Sequence, residues 1–175
     1  MPQSLHIRPA TEGDAAQLVA IYRPFVETTA VSFETVVPTV PEFAARITKA
    51  LTRWQWLVAE RDGQCLGYAY ASTHRERSAY QWSVEVSAYV HPRHHRQGVG
   101  RALYAPLFED LARKGFCNAY AGIAMPNDGS VALHRSVGFQ PIGVFPRVGR
   151  KFNAWHDVAW LHRPLRDAPL SDRPL

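Results

Sequence analysis

A single carboxylate interrupts an apolar, β-branched run at WSVEVSAYV (82–90), where Glu85 alternates with Val84 and Val86. On a strand, that alternation sends Glu85 to the face opposite the valines. A carboxylate taken out of water is paired or used, and desolvation makes it a stronger base. Proton abstraction from a substrate is one reading. A solvated strand glutamate and a structural ion pair are the others, and the strand alone does not choose among them. Directly downstream, YVHPRHHRQGVGRALY (89–104) reads as a strand end, a basic loop and a glycine pair opening a helix. Gly98 and Gly100 allow a tight turn and let main-chain N–H groups approach a ligand closely. The unsatisfied N–H groups of a first helical turn, with the positive end of the dipole, form an anion site. Arg93, Arg96 and Arg101 add charge-assisted contacts suited to phosphates. A plain turn in a solvated basic loop is the alternative, because Gly-x-Gly alone is a short signal. Position 103 is Leu, so there is no Gly-x-Gly-x-x-Gly, and no Gly-Lys-Ser/Thr occurs. Dinucleotide-binding and P-loop sites are thereby excluded. His91, His94 and His95 sit among arginines with no carboxylate nearby, so no metal site is expected.

The elements that hold these groups follow from periodicity and punctuation. LHIRP (5–9) predicts a short strand; Thr11 and Asp14 cap a helix carrying Ala15, Leu18, Val19 and Tyr22 at helical spacing. Thr28–Val40 reads as a loop, and Pro41 opens a second helix reaching about Arg53. WLVAE (56–60) and CLGYAYAS (65–72) form a hairpin about Asp62-Gly63, and the Glu85 strand follows. A helix from Gly98 to Lys114 closes at Gly115. NAYAGIAM (118–125) is a strand, SVALHRSVG (130–138) a short helix, and FQPIGVF (139–145) and HDVAWLH (156–162) are strands. The order β-α-α-β-β-β-α-β-α-β-β implies an α/β fold of α+β type: a central mixed β-sheet flanked by helices, centred on the Glu85 strand. Residues 1–164 are expected to form one domain and 165–175 a loose tail.

Composition bounds the possibilities. The chain has 175 residues, 46% hydrophobic and 20% charged, which is globular rather than disordered usage. No apolar run approaches the roughly 20 residues of a membrane span, and the N-terminal stretch lacks a signal-peptide core, so a cytoplasmic protein is expected. Cys65 and Cys117 read as core residues rather than a disulfide or metal pair. The net charge of +5 suggests an anionic partner, either nucleic acid or a phosphorylated cofactor. The arginines gather at a glycine helix start, not along a stripe with stacking aromatics, so no nucleic-acid partner is expected.

The strand followed by Arg-x-x-x-x-Gly-x-Gly opening a helix resembles the pyrophosphate-binding segment of GNAT-superfamily acetyltransferases. MPNDGSVALHRSVGFQPIG (125–143) is similar to that superfamily's second cofactor segment. AYQWSVEVSAYVHPRHHRQGVG, PNDGSVALHRSVGF and NAWHDVAWL together resemble phosphinothricin and methionine sulfoximine/sulfone acetyltransferases; with VSFET and WLVAE, the likeness spans most of residues 7–163. It implies an acyl-CoA N-acyltransferase fold, acetyl-CoA as cosubstrate, a small amino-acid-like acceptor amine, and commonly a homodimer. One departure is His95, where the superfamily has Gln or Arg, with Arg96 displaced by one.

The resemblance also implies roles. Glu85 matches the base that deprotonates the amine, directly or through a water. His134 matches a position near the cofactor sulfur, suited to protonating a thiolate or holding substrate. Ala88, Tyr89 and Val90 match main-chain partners of the pantetheine amides. His95, Arg96, Gln97, Gly98, Val99, Gly100 and Arg101 match the pyrophosphate loop, and Asn127 and Ser130 the pantetheine contacts, both also good helix-capping types. Arg75, Arg77, Phe33 and Tyr80 match the acceptor site, the arginines suited to a carboxylate and a phosphinate or sulfoximine oxygen. An acetyltransferase for another amine, such as a polyamine or peptide N-terminus, is the alternative; a polyamine wants an acidic pocket, which Arg75 and Arg77 oppose. A non-catalytic acetyl-CoA-binding domain and a nucleic-acid module are the other classes.

Overall fold

The computed structural model describes residues 4–169. In chain order the elements are β1 (His6–Pro9), α1 (Ala15–Glu27), α2 (Val40–Leu51), β2 (Trp56–Arg61), β3 (Gln64–Thr73), β4 (Ser83–Val90), α3 (Val99–Arg113), β5 (Asn118–Ala124), α4 (Asp128–Ser136), β6 (Gln140–Lys151) and β7 (Ala154–Pro164). The strands form one sheet in the order β1-β2-β3-β4-β5-β7-β6, which puts β4 at its centre. Among the described residues its one parallel pair is β4 with β5, and that pairing is short: Ser83 with Asn118, Val84 with Ala119, Glu85 with Tyr120. Past Glu85, β4 keeps β3 on one side and loses β5 on the other.

The period-2 pattern of β4 partitions the core. Val84 and Val86 are buried beneath α3 with Leu103, Leu107 and Phe116. Tyr89 on the opposite face joins Leu18, Phe43, Ile47 and Tyr68 beneath α1 and α2. Each face thus buries apolar area worth about 25 cal/mol per Å². Trp56 stacks on Tyr70 at a centroid distance of 4.2 Å, extending the aromatic layer toward Glu85. Helix α2 starts at Thr39, whose N–H donates to Glu42 Oε2 at 2.7 Å while the Glu42 N–H donates to Thr39 Oγ1, the reciprocal box that satisfies orphan donors.

The final hairpin is longer than the sequence patterning predicts. Strand β6 continues through Pro146 to Lys151 and turns back at Phe152 and Asn153, both left-handed at φ 50° and 58°. Pro146 and Gly149 read as breakers, yet a register shift between Phe145 and Gly149 absorbs them, with Arg147 N–H donating to Asp157 Oδ1 at 2.7 Å. An edge strand tolerates this, because one side of its ladder carries no partner. Cys65 and Cys117 are buried free thiols, and burial pushes the Cys65 thiol up to about 11. At the C-terminal end, Leu165 N–H donates to Cys117 O and Arg166 Nη1 to Ala112 O. Residues 170–175 of the expected tail lie outside the described residues. Among the described residues, no helix is long and apolar enough to cross a membrane.

Candidate active site

Where β4 and β5 part, the chain exposes one line of main-chain polar groups. His91 N–H donates to Leu66 O of β3 at 2.8 Å. Strand alternation therefore turns the main-chain groups of Tyr89, Ser87 and Glu85 toward β3, and those of Val90, Ala88 and Val86 toward the opening. Of the three expected strand contacts, Ala88 and Val90 face the opening and Tyr89 does not. Tyr89 instead contributes its half-buried ring, edge-on to Tyr22 at 4.9 Å.

The basic loop is braced internally. His95 Nε2–H donates to Val90 O at 2.8 Å, so this ring folds the loop back onto the end of β4 and occupies that carbonyl. Gln97 Nε2 donates to Arg93 O at 3.0 Å. Arg96 and Gly98 are both left-handed, at φ 60° and 80°. Gly98 is the residue before α3, and Ala102 N–H is the first to reach back to Gly98 O. The N–H groups of Val99, Gly100 and Arg101 in the turn before it have no intrahelical partner. Gly100 carries a further constraint: a Cβ there would meet Leu133 Cδ2 of α4 at 2.7 Å, so its lack of a side chain seats α4 against α3. Among the described residues, no three His, Cys, Asp or Glu side chains gather as a metal cage.

Helix α4 begins at Asn127, whose Oδ1 accepts from Ser130 N–H at 3.1 Å. One turn on, His134 is buried. Its Nδ1–H donates to Ser130 O at 2.7 Å, and its Nε2 pairs with the Tyr104 hydroxyl at 2.9 Å. Burial lowers the proton affinity of this ring, against the pull of the Ser130 carbonyl. The imidazole is therefore neutral at Nε2 and accepts from Tyr104. The imidazole expected near a sulfur is here occupied at both nitrogens, because α4 packs its ring onto Tyr104 and Phe139.

Glu85 points away from the valines, with 30% of its side chain exposed, and Oε1 accepts from His74 Nδ1–H at 3.0 Å. His74 lies in the segment after β3 and lacks any periodic signature. Arg75, Arg77 and Tyr80 share a partly open cavity of about 210 Å³ with Trp54, Glu76 and Ser83. Neither arginine has a carboxylate partner among the described residues. Tyr80 lines this cavity and meets the His74 ring edge-on at 5.7 Å, whereas His74 and Glu85 are not among the cavity's lining residues. Phe33 lies apart from that group, packed on the Gly149 backbone and 6.2 Å from the His156 ring. Its flanking residues are fixed: the Tyr22 hydroxyl contacts Ser32 Oγ at 2.6 Å and Glu34 Oε2 at 2.5 Å, and Lys151 Nζ donates to Ser32 O at 2.7 Å. Arg46 at 2.6 Å holds the Glu34 carboxyl below its ordinary range.

A mixed sheet that parts beside a central carboxylate, with a glycine-opened helix at the mouth of the gap, is the architecture of an acetyltransferase. Residues 7–160 match the acetyltransferase (GNAT) domain family, and the chain belongs to it. It is 38% identical to phosphinothricin N-acetyltransferase of Streptomyces viridochromogenes, over 98% of this chain and 93% of that one. It is 34% identical to the L-methionine sulfoximine/L-methionine sulfone acetyltransferase of Salmonella typhimurium, over 95% and 98%. The fold superposes on the crystal structure of a phosphinothricin acetyltransferase from Sinorhizobium meliloti in complex with acetyl-CoA, with a TM-score of 0.90 at 32% identity, covering 99% of this chain and 94% of that one.

Proposed function

We propose that this chain transfers the acetyl group of acetyl-CoA to the free amine of a small amino-acid-like acceptor of the phosphinothricin, methionine sulfoximine or methionine sulfone type. The observation that carries the reading is the parting of β4 from β5 directly after Glu85. It leaves the main-chain edge at Val86 and Ala88, with the N–H of Val90 whose carbonyl His95 holds, to pair with an extended amide-bearing arm, as an added strand would. The same edge leads to the Gly98 turn, where the N–H groups of Val99, Gly100 and Arg101 meet a diphosphate with help from the Arg96 and Arg101 side chains. A cosubstrate laid along this line brings its acyl end to Glu85.

The chemistry then needs a free amine and a polarised carbonyl. Glu85, held at Oε1, offers Oε2 to the acceptor ammonium directly or through a water. The freed amine attacks the carbonyl carbon, an N–H of the β4 edge stabilises the oxyanion, and the carbon–sulfur bond breaks. The second proton shed by nitrogen as the amide forms is the one the thiolate takes up. His95 and Gln97 serve by bracing the loop, Asn127 and Ser130 by starting α4, and His134 by locking α4 onto Tyr104. Arg75 and Arg77 face the acceptor's anionic groups, with Tyr80 as a wall. We assign the active form to a cytoplasmic homodimer associated through the exposed apolar edge of β6.

A thiol-release assay with acetyl-CoA against phosphinothricin, methionine sulfone, methionine sulfoximine, spermidine and a short peptide tests this reading. The anionic amino acids should turn over with the highest kcat/KM. Preferred turnover of spermidine or the peptide would overturn the acceptor assignment.

A further inference from the structure

We infer that His74 is the positioning residue for Glu85, a role that rests on Glu85 being the base. A glutamate on a strand has freely turning side-chain torsions, and a base works only when a lone pair is held toward the proton it takes. His74 Nδ1–H fixes Oε1 at 3.0 Å, which orients the carboxylate and leaves Oε2 as its open oxygen. The two side chains are 14% and 30% exposed, so the contact is shielded while the carboxylate stays reachable.

The His74 ring is itself held by three elements. It stacks on Tyr120 of β5 at 4.6 Å and 18°. Tyr80 of the turn before β4 and Trp160 of β7 meet it edge-on, at 5.7 Å and 6.2 Å. Tyr120 is also the cross-strand partner of Glu85 at the last rung before the sheet opens. The imidazole is thus clamped at the apex of the opening by the strand that parts from β4. An isolated exposed ion pair contributes little, whereas a ring packed on three sides delivers its N–H in one direction. The titratable groups around the pair are Tyr70 on β3, Tyr120 on β5 with His162 behind it, and Tyr80, with Arg75, Glu76 and Arg77 in the loop that follows His74.

The test compares the parent with His74→Phe, His74→Asn and Glu85→Gln, using acetyl-CoA and the best acceptor of the panel, with melting temperatures taken alongside. Phe keeps the stack on Tyr120 without a donor; the Asn amide nitrogen stands in for Nδ1. His74→Phe should lose roughly 10- to 100-fold in kcat with the KM for acetyl-CoA within about twofold, and His74→Asn should recover most of that loss. A His74→Phe enzyme within about twofold of the parent overturns the inference. So does a His74→Asn enzyme impaired as severely as the Phe variant, since packing alone would then explain both. If His74→Phe does not fold, His74→Asn decides: more than tenfold loss in kcat at an unchanged melting temperature rejects the role, and a smaller loss upholds it. Full turnover by Glu85→Gln removes the base itself, whereas an inactive Glu85→Gln beside a parent-like His74→Phe removes only His74.

Discussion

Tyr104 on α3 and His134 on α4 hold each other across the helix pair, hydroxyl to Nε2 at 2.9 Å, in a region closed to solvent. Well above pH 6.5, the ring's ordinary value, it is neutral whether the chain is folded or not. Below that, the unfolded chain takes up a proton that the buried ring resists, so stability falls as pH falls, by at most about 1.4 kcal/mol per pH unit for this one site. Burial lowers His91 and His162 in the same sense, so the parent's slope contains their contributions too. His134→Gln should therefore have a flatter decline between pH 7 and pH 5 than the parent in urea denaturation. Identical slopes would mean that the His134 ring does not resist protonation in the fold.

Glu85→Gln keeps the size and polarity of the side chain and removes its basicity. Turnover should fall by roughly 10²- to 10⁴-fold, with partial relief as pH rises and the acceptor amine deprotonates unaided. Calorimetry should find acetyl-CoA binding unchanged, because the cosubstrate contacts proposed are main-chain groups of β4 and α3 and the side chains of Arg96 and Arg101, none of which the substitution touches. A pH–rate profile matching the parent's would take the base role away from Glu85.

Gly98 and Gly100 are distinguished by what replaces them. At Gly98 a Cβ meets open space, so the obstacle is the φ of 80° alone. Asn adopts that conformation readily and a β-branched residue does not. Gly98→Val should cost about 1–3 kcal/mol and raise the KM for acetyl-CoA, while Gly98→Asn stays close to the parent. Equal behaviour of the two variants in denaturation and kinetics would show that the turn is not held left-handed.

What the sequence made legible was local. Alternation around Glu85 gave the face of β4, and the glycine after a basic loop gave the start of α3. The unread parts depend on distant partners. The side-chain constraint on Gly100 comes from Leu133, on another helix. His74 takes its meaning from Tyr120 and Trp160, which only the folded sheet brings beside it. The long hairpin was hidden because Pro146 and Gly149 signal termination, whereas the register shift tolerates both, and because Phe152 is not a turn-forming type. His134 was marked by residue type and motif, but nothing local indicated that Tyr104 would occupy its second nitrogen.

Arg75 and Arg77 line one cavity with Glu76, and neither forms an ion pair among the described residues, so we take their charges as open to an anionic acceptor. Arg75→Ala should raise the acceptor KM by roughly tenfold with little change in kcat, the loss expected for one charge-assisted contact. Added salt should narrow the gap between the variant and the parent, because the cavity opens to solvent. An unaltered acceptor KM would place Arg75 outside the acceptor site.

Strand β6 sits at the edge of the sheet with Ile142, Val144, Phe145 and Val148 exposed, and Phe152 and Trp155 add to the same hairpin. An edge this long and this apolar invites pairing with another strand. Antiparallel pairing about a two-fold axis lets β6 meet a second β6 with the same residues on both sides. Its cations, Arg147, Arg150 and Lys151, all fall in the second half of the strand, so an axis through the first half keeps them apart from their copies. A lysine at Val144 would bring two like charges together across such an axis. Val144→Lys should therefore shift the protein from dimer to monomer in sedimentation at micromolar concentration, with the melting temperature of the monomer little changed because that side chain supports no core. A parent that sediments as a monomer, or a Val144→Lys variant that stays dimeric, would show that this edge is not where two copies meet.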